Sequence, residues 1–245
     1  MSETGNLEWC TKDISTSKEC SNIANGVGHL KQLILVRHGE AGHLIGDDDR
    51  RMTGGWTDSL LTESGRRQAD ATGLALRNLS LVDFNFYSSD LIRCSDTAKI
   101  ISQHLAIQPT FVHELRELNN GMAANHTQKE AKSFELPKTE PGIDWVHYPE
   151  AESWGAMHDR VIGFMEQIQN NQPETTLIVS HGGPIRAIIH WWLQLPRSMY
   201  STVSFDIEPC SITRLTVNGF GEKTISKLND TCHLNIRKAK LAQIR

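Results

Sequence analysis

The 245-residue chain has few cysteines, no long apolar run and no strong excess of one charge. No apolar stretch approaches the roughly 20 residues of a membrane-spanning helix, so we expect no membrane partner. Five scattered cysteines without a C-x-x-C pair indicate free thiols rather than a disulfide framework or a zinc site. A net charge of -4 argues against nucleic acid as the main partner. With no apolar signal core near the N-terminus, the expectation is a cytoplasmic protein.

The composition does support a folded domain, since 38% of the residues are hydrophobic and 22% are charged. Residues 1–30 are rich in polar residues and predict a flexible N-terminal extension. We expect residues 31–245 to form one domain. Within it, glycines and prolines interrupt any regular period over about 119–151, which predicts a lid-like excursion.

Apolar, β-branched runs alternate with segments of helical period along the domain. We predict strands at 32–36, 84–87, 111–115, 176–180, 211–217 and 222–228, and helices that end near 79, 105, 170 and 195. Thr62 is predicted to cap the first helix, and Ser88-Ser89-Asp90 to cap the second. This alternation favours an α/β fold, a three-layer sandwich with a largely parallel central sheet.

Charged and imidazole side chains follow four of the predicted strands at the point where each strand ends. Arg37 and His38 follow the first strand, and Arg93 comes shortly after the second. Glu117 follows the third and His181 the fourth. Because ligands of open parallel sheets bind beyond the carboxyl ends of the strands, we expect these side chains to converge.

Residues of these types can together transfer a phosphoryl group. Arginine forks match phosphate oxygens, and a neutral imidazole can attack phosphorus and carry the group covalently. A second imidazole can donate to the phosphoryl oxygens as charge redistributes. A glutamate can protonate the leaving oxygen and then activate water. Since the cationic side chains supply the neutralising charge, we expect neither a metal nor a cofactor.

Five segments of the sequence resemble motifs of the histidine phosphatase superfamily, in its phosphoglycerate mutase-like branch. They are Leu35-Val36-Arg37-His38-Gly39-Glu40; Gly55-Trp56-Thr57-Asp58 with Leu61-Thr62-Glu63-Ser64-Gly65; Tyr87-Ser88-Ser89-Asp90-Leu91-Ile92-Arg93; Leu115-Arg116-Glu117-Leu118; and Val179-Ser180-His181-Gly182-Gly183. The first motif alone is a weak signal, whereas five in family order between about residues 32 and 233 are specific. The resemblance implies a phosphoglycerate mutase-like fold.

The resemblance also implies roles for the residues at the strand ends. His38 would be the phosphohistidine nucleophile, and Glu117 the general acid and base. Arg37, Arg93 and His181 would bind the phosphoryl group, with His181 also counted among the catalytic residues.

Several assignments stay open. Ser88 either binds the phosphoryl group or serves only as a cap. Glu114, three residues before Glu117, is an alternative proton donor. The family often has Trp-Asn or His-Asn where this chain has His43 and Leu44, so the resemblance does not carry over the phosphate contact made by that asparagine.

Other polar and aromatic residues are predicted to lie outside the chemistry. Five histidines are interpreted as surface or lid residues: His43, His113, His126, His147 and His158. Asp47-Asp48-Asp49, in an acidic loop over 44–55, is interpreted as a solvated turn. Trp191-Trp192 is expected in the core or at a subunit contact.

The expected activity is metal-independent hydrolysis of a small phosphomonoester through a covalent phosphohistidine, with a small phosphorylated metabolite as the partner. One alternative is a 2,3-bisphosphoglycerate-dependent phosphoglycerate mutase. Another is a catalytically weak member that binds phosphorylated ligands. Only 63 residues, 118–180, separate Glu117 from His181, and the resemblance associates a short segment there with phosphatases. The oligomeric state stays open, with a homodimer among the alternatives.

Overall fold

The computed structural model of the chain describes residues 30–46, 50–171 and 173–234. The strands are β1 (Gln32–Arg37), β2 (Asn85–Ser89), β3 (Thr110–Val112), β4 (Thr175–Ser180), β5 (Ile212–Val217) and β6 (Lys223–Asp230). The α-helices are α1 (Glu63–Arg77), α2 (Ile92–Leu105), α3 (Gln128–Ala131), α4 (Trp154–Ile168) and α5 (Gly182–Trp192). No helix in the described ranges is long and apolar enough to cross a membrane. The predicted extension, up to residue 29, and the acidic run 47–49 lie outside the described residues.

The strands form one six-stranded sheet in the order β3-β2-β4-β1-β5-β6. The four strands from β3 to β1 run parallel, and β5 and β6 add an antiparallel edge. Arg37 at the end of β1 is in register with Ser180 at the end of β4. The two central parallel strands therefore end side by side, although 143 residues of sequence separate these positions.

Two apolar cores lie on opposite faces of this sheet. Side chains alternate between the faces of a strand, and β1 shows the alternation clearly. Leu33 and Leu35 pack with residues of α4 and α5, whereas Ile34 and Val36 pack with residues of α1 and α2. All four side chains are fully buried. The predicted α/β three-layer sandwich with a largely parallel sheet is confirmed.

The start of α2 differs from the prediction. Residues 88 and 89 belong to β2, and the helix begins only at Ile92, whose preceding residue makes no side-chain cap bond. The carboxylate of Asp58 instead accepts a hydrogen bond from the backbone N–H of Ile92 at 2.8 Å. The prediction of a cap by Ser88-Ser89-Asp90 is wrong because a residue 34 positions earlier satisfies this helix end.

Other boundaries follow the sequence more closely. The Thr62 hydroxyl accepts from the backbone N–H of Gly65, which confirms the predicted cap of α1. Pro184 lies in the first turn of α5, as expected, although the helix ends at Trp192 rather than near 195. The third strand stops at Val112 and continues as a turn of 3-10 helix.

The segment 119–151 contains α3 and three short 3-10 turns, and no strand in the sheet comes from it. It is bonded to the long loop that follows β1. The backbone N–H of Gln128 donates to the carbonyl of Arg51 at 2.8 Å, and Thr53 donates its hydroxyl to the carbonyl of Ala123 at 2.6 Å. The loop that follows β1 and the segment 119–151 together form a wall above the carboxyl ends of the strands.

Candidate active site

His38 follows β1 and presents one ring nitrogen to a buried arginine. Its Nδ1 lies 2.7 Å from the carbonyl oxygen of Gly39. A carbonyl can only accept, so Nδ1 carries the proton and Nε2 keeps its lone pair. Arg93 donates its Nε–H to that Nε2 at 3.3 Å. The backbone thus fixes the tautomer that leaves Nε2 nucleophilic.

Burial keeps this imidazole neutral. His38 is only 2% exposed. Its desolvation, together with the positive charges of Arg93 and Arg37, lowers the pKa of His38 well below the usual range. At neutral pH the ring is therefore a nucleophile rather than a cation.

Two arginines flank His38 and supply the positive charge. Arg93 is 1% exposed and donates to the carbonyl oxygens of Thr57 at 2.8 Å and Gly55 at 2.6 Å. Arg37 donates to the carbonyl of Ile207 at 2.5 Å, and its buried Nε has no partner in the described part of the chain. Since buried polar groups are normally paired, this free donor indicates a place for an acceptor oxygen.

His181 is the residue immediately before α5, and its ring meets the His38 ring edge-on, with 5.1 Å between the ring centroids. Its Nε2 is 2.9 Å from the Ser89 hydroxyl and 3.3 Å from the Cys94 sulfur. Ser89 also accepts from the backbone N–H of Leu91 at 3.4 Å. Nδ1 of His181, the other ring nitrogen, is buried and has no hydrogen-bond partner among the described residues.

Ser89 is a site residue that the sequence analysis missed. The structure does not bring Ser88 to the site, because its fully buried hydroxyl donates to the Ser89 carbonyl at 2.9 Å. Ser89 is the last residue of β2, two residues beyond the predicted end of that strand, so no local signal marked it in the sequence.

Glu117 reaches the same place from the loop after β3. Its carboxylate accepts from the backbone N–H of Leu118 at 3.0 Å and of Gly183 at 3.2 Å. A Cβ at position 183 would collide with this carboxylate, so the close approach requires glycine. The first turn of α5 therefore positions both His181 and Glu117.

The backbone around Glu117 is fixed by two further side chains. Trp56 donates its Nε1–H to the Glu117 carbonyl at 2.7 Å. Arg160, paired with Glu152 at 2.5 Å, donates to the Glu114 carbonyl at 2.6 Å. The Glu114 side chain is exposed and is not part of the cavity wall. Of the two carboxylates, the geometry favours Glu117.

Four of the predicted residues, Arg37, His38, Arg93 and Glu117, line one cavity of about 360 Å³. This volume lies within the range typical of small-molecule sites. The segment 119–151 contributes one wall, with amide and aromatic side chains: Asn119, Asn120, Gln128, His147 and Tyr148. The site can therefore surround a small phosphorylated molecule.

Comparison with known proteins agrees with this geometry. Residues 33–231 match the family model of the histidine phosphatase superfamily, branch 1. The chain belongs to this superfamily. Members of the superfamily are phosphatases or mutases.

Two relatives in the histidine phosphatase superfamily are similar over most of the chain. One is "Serine/threonine-protein phosphatase Pgam5, mitochondrial" of Drosophila persimilis, 30% identical over 210 residues. That match covers 83% of this chain but only 64% of the relative, so the chain spans less than two thirds of that protein's length. The other is "Probable phosphoglycerate mutase GpmB" of Escherichia coli, 31% identical over 191 residues, covering 76% of this chain and 85% of that protein.

A solved histidine phosphatase shows the same fold. The mycobacterial glucosyl-3-phosphoglycerate phosphatase in complex with VO3 superposes with a TM-score of 0.67 at 22% identity. The superposition covers 82% of this chain and all of that one. At this identity the likeness concerns the fold, and it confirms the predicted phosphoglycerate mutase-like architecture.

The histidines expected on the surface or in the lid do not all lie there. His43 is 6% exposed and His158 is 3% exposed, so the prediction is wrong for these two. His158 packs against the Tyr200 ring at 5.0 Å between centroids, away from the cavity. His43 lies in the cavity wall, 5.7 Å from the His38 ring. The burial of His158 follows the helical period of α4, where Val161, Met165 and Ile168 lie on the same buried face, whereas the 3-10 turn around His43 shows no such period.

Proposed function

We propose that this protein is a phosphatase that hydrolyses a small phosphomonoester through a covalent phosphohistidine at His38, with no metal. The observation that carries the proposal is the fixed tautomer of His38. With its Nδ1 proton bonded to the Gly39 carbonyl, the Nε2 lone pair faces Arg93 inside the cavity. Membership of the superfamily supports the same chemistry.

In the first step, Nε2 of His38 attacks phosphorus as the bond to the leaving oxygen breaks. Glu117 donates a proton to that oxygen, so the product departs as an alcohol. The unpartnered donors of Arg37 and His181 bind the phosphoryl oxygens while negative charge moves across them.

In the second step, water attacks the phosphohistidine and Glu117 accepts a proton from it. The phosphorus–nitrogen bond breaks, the electron pair returns to Nε2, and inorganic phosphate leaves. Because the guanidinium groups already offset the charge of the phosphoryl group, neither step needs a metal ion.

A labelling experiment tests this proposal. Wild-type protein and His38→Ala are mixed with ³²P-labelled phosphomonoester in the presence of EDTA and quenched rapidly. The wild type should hydrolyse the ester and carry acid-labile, base-stable phosphate, whereas the variant should show neither, with an unchanged unfolding curve. Turnover by His38→Ala at the wild-type rate, or loss of wild-type activity in EDTA that magnesium restores, would contradict the mechanism.

The similarity to the protein named as a phosphoglycerate mutase makes phosphoryl transfer the second outcome to measure. The labelled phosphoenzyme is therefore offered phosphoglycerate and water together. We expect release of inorganic phosphate to dominate, because the segment between Glu117 and His181 has only 63 residues, and the resemblance associates a short segment there with phosphatases. Faster transfer to phosphoglycerate than to water would replace the phosphatase proposal with a mutase.

A further inference from the structure

His43 is a buried imidazole in the wall of the active-site cavity for which the proposed mechanism has no use. It lies in the 3-10 turn Gly42–Leu44, on the loop that follows β1. Its ring is tilted against the His38 ring, with 5.7 Å between centroids. The residue lines the same cavity as Arg37 and Arg93.

One ring nitrogen of His43 is bonded and the other faces the cavity. Nδ1 lies 2.6 Å from the Ser59 hydroxyl. A hydroxyl can donate its proton to Nδ1, which leaves the proton of the neutral ring on Nε2. Within the described ranges of the chain, Nε2 has no hydrogen-bond partner. In this tautomer the ring has a donor available for a ligand.

The neighbouring residues leave this imidazole open to the ligand. Gly54 also lines the cavity, and a Cβ there would stand only 3.7 Å from Cδ2 of His43. Because Gly54 has no side chain, none from that position covers the ring. The next residue, Leu44, is apolar and cannot bond a phosphate oxygen. On this side of the reacting histidine, the cavity-lining side chains that can donate are His43 and Arg51, and of these His43 is the one in ring contact with His38.

The charges around His43 keep it neutral. Its burial, followed by the charges of Arg93, Arg37 and Arg51, lowers the pKa of His43 to about 3. At neutral pH the ring therefore offers one N–H donor beside the arginines without adding a further cation to the empty cavity.

We propose that His43 is a further ligand of the transferring phosphoryl group, donating its Nε2–H to a phosphoryl oxygen alongside Arg37 and Arg93. Ser59 is the positioning residue that holds the ring in the donating tautomer. This inference rests on the proposed function and assigns one more residue of the same site.

The test measures binding of inorganic phosphate by calorimetry, together with kcat/KM for an aryl phosphate. Hydrogen bonds to charged groups are the strong ones, so His43→Phe should raise the Kd for phosphate by about tenfold or more. The phenyl ring preserves the buried volume but has no N–H. His43→Asn retains a side-chain donor, so its Kd for phosphate should rise less. The Kd of Ser59→Ala should lie between those of the wild type and His43→Phe.

His126→Phe is the matched control, because the His126 side chain is 43% exposed and does not line the cavity. Its phosphate affinity should equal that of the wild type. If His43→Phe folds and binds phosphate as tightly as the wild type, the role of His43 is refuted while the proposed function stands. If the wild type itself neither binds phosphate nor forms the phosphohistidine, the proposed function falls instead. Unfolding curves of each variant show whether weaker phosphate binding comes from the lost contact or from loss of the folded state. If His43→Phe does not fold, the phosphate affinity of His43→Asn decides the question.

Discussion

Single hydrogen bonds decide what the two central histidines can do. The Gly39 carbonyl fixes the proton of His38 on Nδ1, whereas the Ser89 hydroxyl bonds Nε2 of His181 and leaves its Nδ1 without a partner in the described part of the chain. The two rings are chemically identical, but Nε2 of His38 is held as an acceptor beside Arg93 and the buried Nδ1 of His181 is left open for a ligand. Both settings exist before a ligand arrives, which lowers the reorganisation needed for catalysis.

The proton transfers assigned to Glu117 give a prediction at this scale. Glu117→Gln keeps the shape and the contact with Gly183 but cannot transfer a proton. With an alkyl phosphate, whose leaving group needs a proton, kcat should fall about a hundredfold or more. With an aryl phosphate the first step should suffer less, so the phosphoenzyme should accumulate in a rapid-quench measurement.

Glu114→Gln is the control for this prediction, because the Glu114 carboxylate is exposed and outside the cavity. It should hydrolyse both esters at the wild-type rate. A loss of alkyl phosphatase activity in Glu114→Gln but not in Glu117→Gln would show that the donor has been assigned to the wrong carboxylate.

At the scale of elements, the first turn of α5 positions two residues of the candidate site, His181 and Glu117. Gly183→Ala should displace the Glu117 carboxylate, because the added methyl group occupies its place. We expect kcat for an alkyl phosphate to drop about tenfold or more, approaching the loss in Glu117→Gln. Phosphate affinity should change less, since the arginines are untouched.

The matched control for this substitution is Gly163→Ala in α4. A Cβ there meets nothing within 4 Å. Alanine also favours a helix interior over glycine by about 1 kcal/mol, so this variant should be as active as the wild type and slightly more stable. Equal activity of Gly183→Ala and Gly163→Ala would show that a methyl group at position 183 does not displace the Glu117 carboxylate.

The elements also show how far the sequence could be interpreted. The apolar runs of β1 and β4 are unmistakable, so the residues that follow them, His38 and His181, could be placed at one sheet edge in advance. The start of α2 could not be predicted in this way, because the residue that caps it, Asp58, lies 34 positions earlier in the chain. The site role of Ser89 and the burial of His43 depend in the same way on contacts between distant segments, which no local pattern encodes.

At the scale of the whole molecule, neutral histidines make stability depend on pH. Burial lowers the pKa of His38, His43 and His181 below the value of about 6.5 expected in the unfolded chain. Below pH 6.5 the unfolded chain binds protons at these residues and the folded protein does not. The free energy of unfolding should therefore decrease as the pH falls, by up to about 1.4 kcal/mol per pH unit for each histidine.

Urea unfolding at pH 7, 6 and 5, in buffers free of phosphate, measures this dependence. His43→Phe removes one of the three groups, whose folded pKa is about 3, so its stability should fall less steeply than that of the wild type between pH 6 and 5. If the free energy of unfolding falls equally steeply with pH in the two proteins, His43 is protonated as readily in the folded state as in the unfolded chain.

The position of β1 in the sheet has a consequence for how the chain becomes active during synthesis. The strand is completed at residue 37, yet its two neighbours, β4 and β5, are completed only at residues 180 and 217. Until then its apolar residues 33–36 leave the ribosome without a partner strand, and such unpaired segments are prone to aggregation. His38 is thus translated early in the domain, whereas β4 and the His181 that follows it are translated late, so a nascent chain stopped before β4 contains His38 without the rest of the candidate site.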